Sequence, residues 1–361
     1  MSKSRKTVAV MCFSSGSGGM EHDAVKLARL LSKEMDVVLA CKKNAFIHHL
    51  HNGTSEEYII EPVAFSSRTL SLSMLFRVRL LIKKYAFDNV VFFGASELKT
   101  LYFSFLGADI NLLIRHGTTK SKAKTDWFHR LIYSRVNYHI ALSKHLLENV
   151  KKIVPDNGMA EYKIIYPSYE ISSSVQADEK IEDKRLRITH VGRVAAGKGQ
   201  IDAVRACKEL YNKGIDFKLD ILGGLEGDAY AEALESEIGT GDFSRRVQLR
   251  GHVTNVTEYL QATDIFLFPS LGEGMPNAFI EAMHHNTVCI AYDNTVFPEF
   301  REMGFYIHIV KNADVDELSQ KLIEVARDID NEKVKSEVNV ALVQDYFRVE
   351  QEMAQWRKAL V

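Results

Sequence analysis

Nowhere in the 361 residues does an apolar run approach the ~20 residues that a membrane-spanning helix needs. No signal-peptide pattern opens the chain at Met1–Lys6, so a cytoplasmic protein is expected. Cysteine is scarce. Cys12, Cys41, Cys207 and Cys289 sit singly in apolar surroundings, which excludes a disulfide framework and a zinc spacing and leaves reduced core thiols. A dinucleotide fingerprint is missing: after Gly16-x-Gly18 the third glycine position holds Glu21, and Cys41-Lys42-Lys43 stands where a ribose-binding acid is needed. A phosphate-binding P-loop also fails. Gly192, Gly197 and Lys198 fit, but Gly199 replaces the Ser or Thr. Two D-x-D patterns, Asp314-Val315-Asp316 and Asp328-Ile329-Asp330, do not follow apolar strands; the first reads as a helix N-cap and the second as a helix end. His48, His49 and His51 fall in an expected loop with no acid or cysteine ligand close in sequence, so no metal site is assigned there.

What is present is a repeated alternation. The length suits two domains. Strand-like apolar runs are expected at Thr7–Phe13, Asp36–Cys41, Tyr58–Glu61, Asn89–Phe93, Ile110–Arg115, Tyr138–Leu142 and Tyr162–Tyr166, with helical stretches between them. From Pro167 to Lys184 the apolar periodicity gives way to Ser, Glu, Asp and Lys. A second series then starts at Leu186–Val191 and continues through Phe217–Leu222, Val247–Arg250 and Ile265–Phe268. Strands alternating with helices predict parallel sheets covered on both faces, with ligands beyond the carboxyl ends of the strands. The expected division is a first domain over 1–168, a linker over 169–185, a second domain over 186–340, and a closing segment over 341–361.

The second series is organised around Ser270-Leu271-Gly272-Glu273-Gly274-Met275-Pro276-Asn277-Ala278-Phe279-Ile280-Glu281. A buried strand stops at Pro269, a Gly-bearing loop follows, and a helix starts near Pro276. Such a turn offers backbone N–H groups and a positive helix end to an anion, with carboxylates at Glu273 and Glu281. Upstream, Gly192-Arg193-Val194-Ala195-Ala196-Gly197-Lys198-Gly199 places a planar fork and a mobile point charge after a strand, both suited to a diphosphate. Arg115-His116-Gly117-Thr118 ends a strand in the first half, where glycine lets the backbone approach a ligand.

The E-x7-E spacing with Gly and Pro between resembles the donor-binding signature of retaining glycosyltransferases of the GT-B fold, the large family-four group. Ala262–Ser270 ahead of it is similar too. The resemblance implies an α/β GT-B architecture: two Rossmann-like parallel-sheet domains with an interdomain cleft. It implies that Glu273 contacts the donor sugar, that Glu281 contacts the ribose, and that the Gly274, Met275, Pro276 and Asn277 backbone contacts diphosphate and sugar. Arg193 and Lys198 match the family's diphosphate-binding pair, and His116 its strand-end histidine beside the donor sugar. The Gly18-Gly19 turn matches the N-terminal glycine turn, and Gly251-His252-Val253 the turn against the nucleobase. Two departures follow Glu281. Asn286 stands in a region where the family has Gly-x-Pro, and Asn294-Thr295-Val296-Phe297-Pro298-Glu299 replaces a Gly-Gly-x-x-Glu element beside the sugar pocket.

The implied activity is transfer of a hexose-type sugar from a nucleotide-diphosphate sugar, UDP favoured and GDP open, to a glycan or lipid-linked acceptor in cell-surface polysaccharide or lipopolysaccharide synthesis. No cofactor, no metal and no nucleic-acid partner are expected. An epimerase or hydrolase on the same scaffold, or an idle nucleotide-sugar-binding subunit, stays open. The net charge of −1 hides an asymmetry: residues 1–170 hold 24 Lys and Arg against 15 Asp and Glu, and residues 171–361 hold 22 against 32. In the basic half, Ser66–Tyr85 interleaves Arg68, Arg77, Arg79, Lys83 and Lys84 with apolar residues. That pattern suits either peripheral contact with an anionic membrane or a helix packed on its sheet. Lys120, Lys122 and Lys124 near Trp127 and Phe128 form a second basic and aromatic patch.

Overall fold

The structure is a computed structural model describing residues 5–16, 18–50, 57–67, 70–94, 96–169, 185–225, 227 and 229–360. It divides into one unit of Met1–Pro167 with Val349–Val361 and a second of Ser168–Arg348. Most of the expected linker, 170–184, lies outside the described residues.

The first unit contains β1 (Thr7–Cys12), β2 (Asp36–Lys42), β3 (Ile59–Val63), β4 (Asn89–Phe93), β5 (Asn111–His116), β6 (Tyr138–Ala141) and β7 (Glu161–Ile164). All pair in parallel, in the order β3-β2-β1-β4-β5-β6-β7. Side chains alternate across β1: Val8, Val10 and Cys12 enter one core, and Ala9 and Met11, followed by Phe13, enter the other. Burial on both faces is why the strand reads as an unbroken apolar run.

The helix Val349–Ala359 covers the Val8 face, contributing Met353, Trp356 and Ala359 to that core. The segment returning to this unit starts at 349, inside the closing segment expected over 341–361. The helix Val338–Tyr346 stays in the second unit because Phe347, just beyond it, packs against Phe300 and Phe305.

The second unit contains β8 (Leu186–Val191), β9 (Phe217–Leu222), β10 (Val247–Gly251), β11 (Ile265–Phe268), β12 (Val288–Asp293) and β13 (His308–Lys311). Its strands are also parallel, in the order β10-β9-β8-β11-β12-β13. The edge strand β13 has only four residues, with His308 and Ile309 half-buried and Lys311 exposed, too short and mixed to stand out in the sequence.

In both units the strand order reverses once, between β1 and β4 and between β8 and β11. Loops leaving the carboxyl ends of such a pair diverge and open a crevice. Both D-x-D patterns mark helix boundaries as expected: Asp314 Oδ1 accepts from the Glu317 amide, capping the helix Val315–Arg327, and Asp328 ends it. The histidine cluster differs from expectation. His48 and His49 lie on a short helix, Phe46–Leu50, and His51 is outside the described residues. Among the described residues no three His, Cys, Asp or Glu side chains converge as metal ligands.

Candidate functional site

The crevice between β8 and β11 collects most of the anticipated residues of the second unit. Lys198 Nζ lies 2.6 Å from Glu273 Oε1, and Ser270 Oγ donates to the same oxygen at 2.7 Å. The Glu273 amide donates to Thr295 Oγ1 at 3.1 Å. Two loops separated by 75 residues thus meet on one carboxylate.

They meet because the backbones touch. The Leu271 amide donates to the Gly197 carbonyl at 3.0 Å, and Ser270 Oγ lies 3.1 Å from the same carbonyl oxygen. Gly199, at φ +75°, sits so close to β11 that an added Cβ would lie 1.9 Å from the Pro269 carbonyl oxygen. That contact, rather than phosphate chemistry, explains why glycine stands where a P-loop has Ser or Thr. The loop amides agree. Gly192 donates to Leu222, Val194 to Gly224 and Lys198 to Ala195, so these N–H groups are satisfied within the protein.

His190 on β8 is buried, its Nε2 2.9 Å from the Lys198 carbonyl and its ring against Phe268. Burial pushes its pKa down to about 4.

Sequence reasoning identified Lys198 and Glu273 but not the groups that orient them. Thr295 occupies φ +46°, a left-handed conformation unfavourable for a β-branched residue. Its hydroxyl offsets the strain by bonding both the Glu273 amide and Asn294 Oδ1. Asn294 Nδ2 in turn donates to the Ser270 carbonyl at 2.9 Å. The departure Asn294-Thr295 was the available signal: the polar pair that replaces two glycines holds the Glu273 loop.

Behind this loop the helix begins at Asn277, one residue later than expected, with Pro276 extended as its N-cap. Phe279 packs on Phe266, Phe268, Phe297 and Phe300, which turns Phe279, Ile280, Ala282 and Met283 inward. With 3.6 residues per turn, Glu281 then lies on the half-exposed side with Asn277. Glu281 Oε1 accepts from Thr257 Oγ1 at 2.6 Å, and the Tyr169 hydroxyl also bonds this carboxylate. The Asn277 and Ala278 amides precede the first intrahelical bond, from Phe279 to Pro276. Thr257 sits in the first turn of the helix Val256–Gln261, just after Gly251-His252-Val253. Glu281 and the expected nucleobase turn are therefore neighbours, with His252 exposed. Arg193 is exposed on the loop after β8.

In the first unit His116 ends β5 and lines a cavity of about 310 Å³ with Arg115, Gly117, Lys120, Lys124 and Glu97. Its Nε2 is 3.0 Å from Nδ1 of His139. Burial, then the neighbouring His139 and Lys124, hold the His116 pKa well below the usual value, so the ring is neutral near pH 7. His139 is fully buried between the rings of Tyr133 and Tyr162, and burial lowers it to about 4.

A stability prediction follows from His139 and His190. The unfolded chain protonates these rings near pH ~6.5, the folded chain only near about 4. Between these values the unfolded state binds more protons, so stability rises with pH across the window. Denaturation midpoints are expected to be flat above pH ~7 and to fall below it, by at most about 1.4 kcal/mol per pH unit for each histidine. Midpoints independent of pH from neutrality down to pH ~4 would contradict the buried neutral rings.

The Gly18-Gly19 turn is occupied by the protein itself. Gly18 caps the helix Gly19–Ser32, and its amide donates to Glu21 Oε2 at 2.8 Å. Glu21 is buried, so a carboxylate already stands where a phosphate would meet this helix end.

Residues 185–328 match the family model described as Glycosyl transferases group 1. Among curated proteins, the chain is 29% identical over 157 residues to the capsular polysaccharide biosynthesis glycosyltransferase CapH of Staphylococcus aureus, covering 42% of each. It is 27% identical over 264 residues to the amylovoran biosynthesis glycosyltransferase AmsK of Erwinia amylovora, covering 64% of this chain and 62% of the relative. The chain thus spans about half the length of the curated relatives it matches. Among solved structures, a glycosyltransferase from Rickettsia africae superposes with a TM-score of 0.82 at 17% identity, covering 98% of this chain and 97% of that one. HepE from Anabaena, solved with UDP-glucose, gives 0.81 at 16% identity over 98% and 99%. The fold is GT-B, two Rossmann-like parallel-sheet domains.

Proposed function

We propose that this chain, whose residues 185–328 belong to the glycosyl transferases group 1 on a GT-B fold, is a sugar transferase. It moves a hexose-type sugar from a nucleoside-diphosphate sugar, UDP-linked in the first instance, to a glycan or lipid-linked acceptor in cell-surface polysaccharide or lipopolysaccharide synthesis. The supporting observation is the Lys198–Glu273 pair at the carboxyl ends of β8 and β11. A cation for the diphosphate and an acid for sugar hydroxyls share one crevice, beside the leading amides of the helix Asn277–His284.

The residues divide the work by charge. Lys198 and Arg193 offset the negative charge that grows on the diphosphate as the bond from the anomeric carbon to oxygen breaks, aided by the Asn277 and Ala278 amides. A bound diphosphate competes with Glu273 for Lys198, so donor binding frees the carboxylate to accept sugar hydroxyls. Glu281, oriented by Thr257, holds the ribose. Neutral His116 positions the sugar by hydrogen bonding rather than charge. Rate comes from positioning and preorganised charge, with retention of the anomeric configuration.

Turnover of a panel of nucleotide sugars, with and without acceptor glycans, tests this reading. Acceptor-dependent transfer from a UDP-sugar, retained after exhaustive chelation because Lys198 and Arg193 carry the charge, is the expected result. Free sugar or an epimer from donor alone would assign hydrolysis or epimerisation instead. Binding without turnover would leave a nucleotide-sugar-binding subunit. Activity lost on chelation and restored only by Mg²⁺ or Mn²⁺ would place a metal in the step.

Peripheral membrane contact through the basic half is part of the proposal. The helix Leu72–Tyr85 turns Met74, Val78 and Leu81 into the core, as a helix packed on its sheet does. Its outer side exposes Leu72, Phe76 and Leu80 at 70%, 62% and 65%, one face at i, i+4, i+8. Lys84 is paired with Glu61, and Arg79 reaches the carbonyls of Phe103 and Leu106; Arg68 lies outside the described residues, and on this helix Arg77 and Lys83 are exposed cations available to a surface. At about 1 kcal/mol each these give weak attraction, and the apolar stripe contributes the rest. Co-sedimentation with anionic vesicles is expected to survive moderate salt in part and to vanish in Phe76→Ser with Leu80→Ser. Negligible sedimentation with anionic and neutral vesicles alike, at low salt, would remove membrane contact from the proposal.

A further inference from the structure

The loop that follows His116 carries lysine at alternate positions: Lys120, Lys122 and Lys124. All three line one pocket of about 350 Å³ together with Ser121, Lys99, His129 and Tyr133. Lys99 stands on the helix Leu98–Ser104, so two separate elements bring their cations to the same space.

Among the described residues no carboxylate lines this pocket. Asp126, the nearest acid along the chain, accepts from the amide and ring of His129. Glu97 lies in the adjoining cavity and accepts from Ser96. Among the described residues none of the four lysines is in an ion pair. Like charges gathered without a counter-charge destabilise one another, and burial of Lys124 adds to the cost. Lys124 bears the mark of both: desolvation first, then Lys120 and Lys99, lower its pKa. Its ammonium is held by the Tyr133 hydroxyl at 2.7 Å, which positions it but cannot neutralise it. The pocket shares Ser96, Lys120, Lys124 and Tyr133 with the cavity that contains His116.

We propose that Lys99, Lys120, Lys122 and Lys124 form an anion-binding site on the first unit that receives a phosphoryl or diphosphate group borne by the acceptor. The ligand chemistry is that of a phosphate ester or diphosphate, whose oxygens accept from several ammonium groups at once. This deepens the transferase reading and rests on it for the word acceptor; the anion site itself stands on the lysines alone. Arg193 and Lys198 lie in the other unit.

The probe is inorganic pyrophosphate, and the readout is acylation of individual lysines in the full chain by an amine-reactive ester, followed by peptide mass spectrometry. Saturating pyrophosphate is expected to slow acylation of Lys120, Lys122 and Lys124 by about tenfold when present at ten times its Kd. Lys33 and Lys213 should be unaffected. In Lys120→Ala with Lys122→Ala, protection of Lys124 is expected to disappear. Protection of Lys198 is read separately in the same digest and reports on the donor site, so the two readings fail independently. Unchanged acylation of Lys124 at millimolar pyrophosphate, or equal protection in the double variant, overturns the site. Protection by phosphatidylglycerol vesicles but not by pyrophosphate at equal phosphate concentration also overturns it, assigning these lysines to a lipid surface.

Discussion

Replacing Glu273 by alanine is expected to lower transfer by roughly 10²–10³ while leaving the fold intact, the scale for loss of one preorganised polar contact. The side chain is 11% exposed and is bonded by Lys198 and Ser270, so its removal frees a cation and a hydroxyl in a solvent-accessible crevice rather than in a sealed core. The loop should hold its shape, because Leu271 and Ser270 still bond Gly197, and Thr295 bonds the backbone amide of residue 273. Glu273→Gln keeps an acceptor for Ser270 but loses the charge opposite Lys198, and an intermediate rate is expected. Glu281→Ala separates the two acids by role. It should weaken nucleotide binding by on the order of tenfold or more, the worth of a charge-assisted hydrogen bond, with a smaller effect on turnover. Steady-state rates and nucleotide titration check both. Near-normal rates and affinities in both alanine variants, with unchanged thermal midpoints, would remove these acids from the site.

Arg115→Met is expected to destabilise the first unit by roughly 3–5 kcal/mol, the range for breaking a buried ion pair from one side. The Arg115 side chain is 1% exposed, yet it is within bonding distance of Asp23 at 2.6 Å and 3.8 Å from Glu352, which is 2% exposed. Removing the guanidinium leaves two acids facing each other across the junction of β5, the helix Gly19–Ser32 and the helix Val349–Ala359. Lys26, 3.9 Å from Glu352, offsets part of the loss. Both tryptophans, Trp127 and Trp356, belong to this unit, so tryptophan fluorescence during chemical denaturation follows its unfolding without a contribution from the other. Arg115→Met combined with Glu352→Gln should recover a measurable part of the loss, since it removes one of the stranded charges. An unchanged midpoint in the single variant would mean that the acids are neutralised by other means.

Legibility differed by the range of the physics involved. Strands β1, β4 and β11 were plain in the sequence because a parallel strand buried on both faces must be continuously apolar. The helix boundaries at Asp314 and Asp328 were plain because capping is local. The Glu273–Glu281 stretch was legible because one strand, loop and helix start carry it. Gly199 was misleading in isolation: its conformation answers to Pro269, 70 positions away, which no local pattern can display. The Gly18-Gly19 turn was legible as a family motif, and only the folded chain showed that Glu21 turns back onto the Gly18 amide.

The amino-acid sequence alone therefore determined two parallel-sheet units, most of their strands, several helix boundaries and the residue types facing the crevice, since propensity, period and capping act over a few residues. Tertiary structure decided which of those residues meet. It joined Lys198 to Glu273 through Gly197, set Thr295 to hold the Glu273 amide, buried Arg115 between Asp23 and Glu352, and gathered four lysines in one pocket. Each of these depends on contacts between segments distant in the chain, whose cost and gain exist only once the sheets have brought them together.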